Sequence, residues 1–180
     1  MIATEQRIAR KMAKRATGND DMLYYTVIPS PLKLIGLAAS GRGLVSVTLQ
    51  VADATAFSRE LQKNHQRPLA NAPDFFANIR NQLDLYFKGR LQSFDCHLDL
   101  SGGTSFQIRV WHKLTNIPYG KTRSYAWLAG AIGKPKACRA VGNANGKNPI
   151  PIVVPCHRVI RENGDLGGYT GGTHIKRFLL

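Results

Sequence analysis

The chain has 180 residues, enough for one domain or two small ones that share an interface. Apolar residues make up 43% and charged residues 20%, which excludes a disordered polar chain and allows a real core. The net charge is +14, and no apolar stretch approaches the roughly 18 residues that cross a bilayer, so a polyanion is the expected partner and a membrane span is not expected.

Met1 to Arg15 carries Arg7, Arg10, Lys11, Lys14 and Arg15 without the apolar centre of a secretory signal, and reads as a basic arm. Met22 to Ile28, Leu34 to Ala39 and Gly43 to Leu49 read as strands, with turn residues at Pro29-Ser-Pro31 and Ser40-Gly-Arg-Gly43. A helix is expected from Ala52 to Asn64. A stronger one is expected from Pro73 to Lys88, where Phe76, Ile79, Leu83 and Tyr86 share one face. Phe94 to Leu100 alternates like a strand, which places Cys96 and His97 on opposite faces. Ser101-Gly102-Gly103 is the expected linker between residues 1–103, a sheet-and-helix domain, and residues 104–180.

Charge changes at that boundary. Residues 1–104 hold 13 basic and 9 acidic residues, a balance of +4; residues 105–180 hold 12 and 2, a balance of +10. Such a basic half suits nucleic acid first and an acidic membrane surface second, with a surface tuned for solubility as the plain alternative.

In the second half, Thr104-Ser-Phe-Gln107 resembles a capping box for a helix carrying Phe106, Val110 and Leu114 on one face. Ser124 caps a helix from Tyr125 to Ile132. Gly133 ends it, and Pro135 opens another from Lys136 to about Asn145. Helix, tight turn, helix is the outline of a helix-turn-helix, or equally of a packed helical hairpin. The second helix carries Lys136, Arg139 and Lys147 among the small residues Ala137, Ala140, Gly142 and Ala144, which permit close approach to a surface. Ile150 to Val154 is apolar and reads as extended, Asn163-Gly164 reads as a hairpin turn between Val159-Ile160 and Leu166 to Tyr169, and His174 to Leu180 starts a helix.

Cys96, Cys138 and Cys156 are odd in number, far apart and without a CxxC, so neither a disulfide framework nor a zinc ribbon is expected and a reducing cytoplasm fits best. The five histidines show no metal-ligand spacing with them, and neither metal nor cofactor is expected. Cys138 reads as a buried structural thiol. Cys156 stands in Pro155-Cys-His-Arg-Val159. A thiol with an ordinary pKa of about 8.5 needs a neighbouring base or positive charge to form thiolate at neutral pH, and His157 and Arg158 supply those residue types. Residues alone leave open that Cys156 is a structural cysteine.

From Phe106 to Leu180 the sequence closely resembles the active-site domain of O6-alkylguanine-DNA alkyltransferases. The matching pieces are Phe106-Gln107 with Val110-Trp111, Ile117-Pro-Tyr-Gly120, Ser124-Tyr125, Ala140-Val-Gly-Asn143, Asn148-Pro149, Pro155 to Val159 and Gly168-Tyr-Thr-Gly-Gly172. Residues 1–103 match in layout. The resemblance implies an α+β protein: a ribonuclease-H-like first domain and a mainly helical, winged-helix-like second domain. It implies repair of double-stranded DNA by irreversible transfer of the alkyl group from O6-alkylguanine to Cys156, once per molecule, with O4-alkylthymine as a further candidate substrate.

Each role follows the matched position. Guanine O6 lies inside the duplex, so the base must be flipped out, from the minor groove in this family. Arg139 matches the arginine that fills the vacated place, and Lys136 and Lys147 are expected on phosphates. Tyr125 matches a residue that assists flipping and donates to the guanine ring, easing departure of a base gaining negative charge. His157 matches a base that reaches the thiol through water, and Asn148 an amide that orients the Cys156 segment. Val159, Tyr169 and Thr170 match the substrate pocket. A family glutamate that steadies the histidine would fall a few residues past Leu180: either the sequence continues beyond that point or the relay lacks its third member, and in the second case a higher thiol pKa and slower transfer are expected. A monomer is expected. The competing expectations are a non-reacting binder of alkylated DNA and a helix-turn-helix regulator without chemistry.

Overall fold

The structure, a computed structural model, describes residues 21–180; the basic arm lies outside them. Strands β1 (Leu23–Ser30), β2 (Lys33–Ser40) and β3 (Gly43–Leu49) form an antiparallel meander. Its first turn requires a left-handed backbone at Lys33, φ 72°, steadied by Ser30 Oγ donating to the Lys33 carbonyl at 2.6 Å. β4 (Leu69–Asn71) adds parallel to β1, giving the order β3-β2-β1-β4. It is too short to show a period in the sequence.

β2 is buried on both faces, and its side chains alternate between two cores. Ile35, Leu37 and Ala39 face the main core, while Ala38 packs with Phe57 and Leu61 of α1 (Ala54–His65). Gly36 belongs to the second face: a Cβ there would stand 2.7 Å from the Phe57 ring. Asp53 caps α1 by accepting from the Ala56 N–H at 2.8 Å. The predicted second helix begins as a 3-10 turn at Pro73–Phe76 and continues as α2 (Ala77–Phe87), burying Ile79, Leu83 and Tyr86.

Phe94 to Leu100 is not a strand. It touches the sheet through one bridge, Leu98 with Leu44, and the Asp99 carboxylate ends the stretch by accepting from Ser40 Oγ at 2.7 Å and Arg42 Nε at 3.2 Å. Two backbone bonds make that bridge, the Leu44 N–H donating to the His97 carbonyl and the Asp99 N–H to the Leu44 carbonyl, each at 2.8 Å, and the pairing goes no further.

α3 (Ser105–Leu114) has the predicted capping box, with Thr104 and Gln107 bonded reciprocally. Ser124, on the short strand β5 (Arg123–Ser124), caps α4 (Tyr125–Ala131), accepting from the Trp127 N–H at 3.1 Å. Gly133, φ 72°, makes the turn that brings in α5 (Cys138–Gly146). That helix starts two residues later than predicted, because residues 134–137 form a turn closed by the Ala137 N–H donating to the Lys134 carbonyl at 2.8 Å. Trp111 ties α3 to α5: its Nε1–H donates to the Ala144 carbonyl at 2.8 Å, and the ring is buried.

Two further expectations change. Ile150 to Val154 is a tight turn rather than extended, with Ile152 at φ 75° and the Val154 N–H donating to the Ile150 carbonyl at 2.9 Å. β6 (Val159–Ile160) pairs parallel with β5, not as a hairpin with Leu166 to Tyr169. The chain then reaches α6 (Thr173–Leu179). One apolar cluster runs through both halves, from Ile28 and Tyr86 to Val110, Val154, Cys156 and Ile175. Among the described residues no helix is long and apolar enough to cross a membrane.

Trp111→Phe keeps an aromatic ring and removes the indole donor, leaving the Ala144 carbonyl only the Lys147 N–H at 3.2 Å. It should lower stability by about 0.5–1.5 kcal/mol, read as a lower urea midpoint; an unchanged midpoint would show that the indole bond does not hold α5 in place.

Candidate active site

Cys156 opens a 3-10 turn, Cys156–Arg158, directly after Pro155. Its side chain is 3% exposed, yet it lies on the wall of a cleft of about 660 Å³. Tyr125 of α4 and Cys138, Arg139 and Gly142 of α5 line one side; Arg161, Gly167, Tyr169 and Thr170 line the other. The cleft thus lies between the helix-turn-helix and the loop after β6. Gly167 has φ 67°, and a Cβ there would stand 3.3 Å from the Tyr125 hydroxyl, so glycine keeps the two sides apart.

Burial pushes the Cys156 thiol up to about 11, while the Asn148 amide, the Lys176 ammonium and the Tyr169 hydroxyl pull it back down. Sulfur at rest is therefore a neutral thiol. Burial likewise raises the Tyr125 phenol, with the nearby Cys156 adding to it, so Tyr125 is a protonated donor facing the cleft.

His157 stands behind the cleft and is fully buried. Burial first, then the positive Arg158 and Lys176, push its imidazole down to about 3, which keeps it neutral. A 3-10 turn turns adjacent side chains apart, and neither ring nitrogen bonds the thiol. Nε2 lies 3.2 Å from Tyr86 Oη, and Nδ1 has no protein partner. Tyr86 comes from α2 in the first half, is itself buried, and has its pKa raised by burial, opposed by Arg158. This bond fixes the ring and couples the choice of protonated nitrogen to the phenol proton.

Asn148 sits where the turn meets the Cys156 segment: Nδ2 donates to the Val154 carbonyl at 2.8 Å, and Oδ1 accepts from the Ile150 N–H at 3.0 Å. Thr170 Oγ1 donates to the Gly146 carbonyl at 3.0 Å, closing the loop against α5. Val159 is buried and off the cleft wall; its carbonyl accepts from Lys176 Nζ at 2.5 Å. Arg139, Lys136 and Lys147 are exposed on or beside α5, with Arg139 on the cleft rim and the two lysines outside it. Cys138 is not buried as expected: it is half-buried on the cleft wall, because it begins α5 at the surface.

Three residues escaped sequence reasoning. Tyr86 was legible as a core position, but its partner lies 71 residues away. Lys176, at 0% exposure, bonds the Val159 and Leu166 carbonyls and so staples α6 to both ends of the loop; burial lowers it to about 8, opposed by Cys156. A lysine in a short basic helix carried no sign of this. Asn145, which the sequence marks only as the end of a helix, places Nδ2 3.4 Å from the Cys156 carbonyl. Among the described residues no group of three His, Cys, Asp or Glu side chains could hold a metal ion.

Residues 23–100 match the ribonuclease-like domain of 6-O-methylguanine DNA methyltransferase, and residues 105–180 match its DNA-binding domain. A methylated-DNA–protein-cysteine methyltransferase of Mycobacterium bovis is 48% identical over 159 residues, covering 88% of this chain and 91% of the relative. The chain belongs to the 6-O-methylguanine DNA methyltransferase family. A relative of the same name from Methanosarcina acetivorans is 44% identical, covering 88% of this chain and 96% of its own. Among solved structures, Mycobacterium tuberculosis OGT in complex with DNA matches with TM-score 0.76 and 45% identity, covering 87% of this chain and 90% of that one. The O6-methylguanine-DNA methyltransferase of Pyrococcus kodakaraensis strain KOD1 matches with TM-score 0.62 and 27% identity, covering 88% and 97%. The α+β architecture read from the sequence, a ribonuclease-like sheet followed by a helical DNA-binding half, is that of this family.

Tyr86→Phe should shift the ring-nitrogen NMR resonances of His157 and cost about 1–3 kcal/mol of stability, since a buried imidazole nitrogen loses its partner. Unchanged resonances would contradict the bond between the two halves.

Proposed function

We propose that this protein repairs DNA by moving the alkyl group of O6-alkylguanine onto Cys156 Sγ, once per molecule and without a cofactor. The observation that carries this is a buried thiol on the wall of a cleft opened by a helix-turn-helix, in a chain of this family. A C–S bond forms as the C–O6 bond breaks. The thiol proton leaves through a water to neutral His157 and passes on through solvent to the departing base, so alkylated guanine and thiol become guanine and thioether. A thioether offers no leaving group that would restore the thiol, which makes the event single-turnover.

The remaining residues prepare that step. α5 enters the minor groove, Arg139 occupies the stack vacated by the flipped base, and Lys136 and Lys147 hold phosphates. Tyr125, protonated on the cleft wall, donates to the guanine ring as negative charge develops there. Asn148 holds the Cys156 segment, and Thr170, with the Tyr169 ring, borders the base. Lys176 stabilises thiolate as it forms. O4-alkylthymine is a second substrate of the same chemistry. Each molecule carries both helix and nucleophile, which supports action as a monomer, and the free thiols support a reducing cytoplasm as its compartment.

Incubated with duplex oligonucleotide bearing O6-methylguanine, the protein should gain the mass of one methyl group, and Cys156→Ala should gain none. Tight, lesion-selective binding without a mass change would replace this reading with that of a non-reacting binder.

A further inference from the structure

The cleft wall carries two charged side chains, Arg139 on α5 and Arg161 on the opposite side. The first has a role in the stack; the second has none in the account so far. Arg161 directly follows β6, and the turn after it is internally bonded. The Arg161 N–H donates to the Asp165 carbonyl at 2.8 Å, the Gly164 N–H to the Arg161 carbonyl at 3.0 Å, and Asn163 Nδ2 to Asp165 Oδ2 at 2.8 Å. The backbone of Arg161 is thus held firmly while its head is loose. The guanidinium meets Asp165 only at 3.9 Å, with both side chains more than 60% exposed, and a pair so long and so wet binds weakly.

The stem of Arg161 runs along the cleft, its Cγ 3.7 Å from where a Cβ of Gly167 would stand, and its charge acts on the Tyr125 phenol across the opening. A base entering this cleft leaves its phosphate at the rim, because a phosphate cannot be buried without a cation. An arginine head at a rim, planar and five-donor, suits a phosphate.

We propose that Arg161 clamps the backbone phosphate beside the flipped nucleotide and thereby favours DNA over the free base as substrate. This rests on the alkyl-transfer reading above. The weak pair with Asp165 leaves the guanidinium free to move to the phosphate.

The test compares methyl transfer to Cys156 from an O6-methylguanine oligonucleotide and from free O6-methylguanine base, which has no phosphate. In Arg161→Ala the ratio of the two rates should fall about tenfold, the loss lying on the DNA side, and the salt slope of DNA binding should drop by about one. Arg161→Lys should recover part of the ratio. Equal loss on both substrates would make Arg161 a wall of the base pocket and overturn the clamp, as would an unchanged ratio. Failure of the unmodified protein to take a methyl from either substrate would instead sink the alkyl-transfer reading itself.

Discussion

Burial of one sulfur is the constraint on which the rest depends. A thiol that is 3% exposed cannot reach a base in a stacked duplex, and its own environment disfavours the charged form needed for attack. Both difficulties share a resolution. In the proposed transfer the base comes to the sulfur, and the cleft with the helix-turn-helix on one wall gives it room. Charge must appear only when the base is there, so the groups that favour thiolate surround the sulfur in advance: the Asn148 amide, the Lys176 ammonium and the Tyr169 hydroxyl. A resting neutral thiol is also less prone to react with the wrong electrophile, which suits a nucleophile that works once.

The same burial binds the two halves together. His157 cannot be fully buried unless something covers it, and the cover is Tyr86 from α2. Beside it, Arg158 donates to the Ile117 carbonyl at 2.7 Å and lies over the Tyr119 ring, while the Val47 N–H of β3 donates to the Pro149 carbonyl at 2.9 Å. The sheet domain thus acts as the back wall of the active site, and the helical domain supplies its front.

Much of this was legible in the sequence where the signal is local. The capping box at Thr104, the cap at Ser124 and the break at Gly133 each rest on chemistry within a few residues, and each stands where predicted. The motif that marks Cys156 as the candidate nucleophile, Pro155 to Val159, is local in the same way. Failures came where distant partners decide. Phe94 to Leu100 alternates like a strand, but its backbone pairs with the sheet only around Leu44, and the Asp99 carboxylate bonds Ser40 and Arg42 where that pairing ends. Ile150 to Val154 is apolar like a strand, but Asn148 folds it into a turn by bonding both ends. β5 and β6 are two residues each and find each other only through the fold. Lys176 has no local signal, because its partners are two carbonyls from elsewhere in the chain.

The claim that the resting nucleophile is a buried neutral thiol is open to direct measurement. With Cys96 and Cys138 replaced by serine, thiolate absorbance reports Cys156 alone. Because burial raises its pKa, thiolate should stay scarce through neutral pH and appear only as pH climbs towards a midpoint near 11, above the roughly 8.5 of a free thiol. A midpoint at or below that of a free thiol would contradict the account, since the sulfur would then be activated before any base arrives.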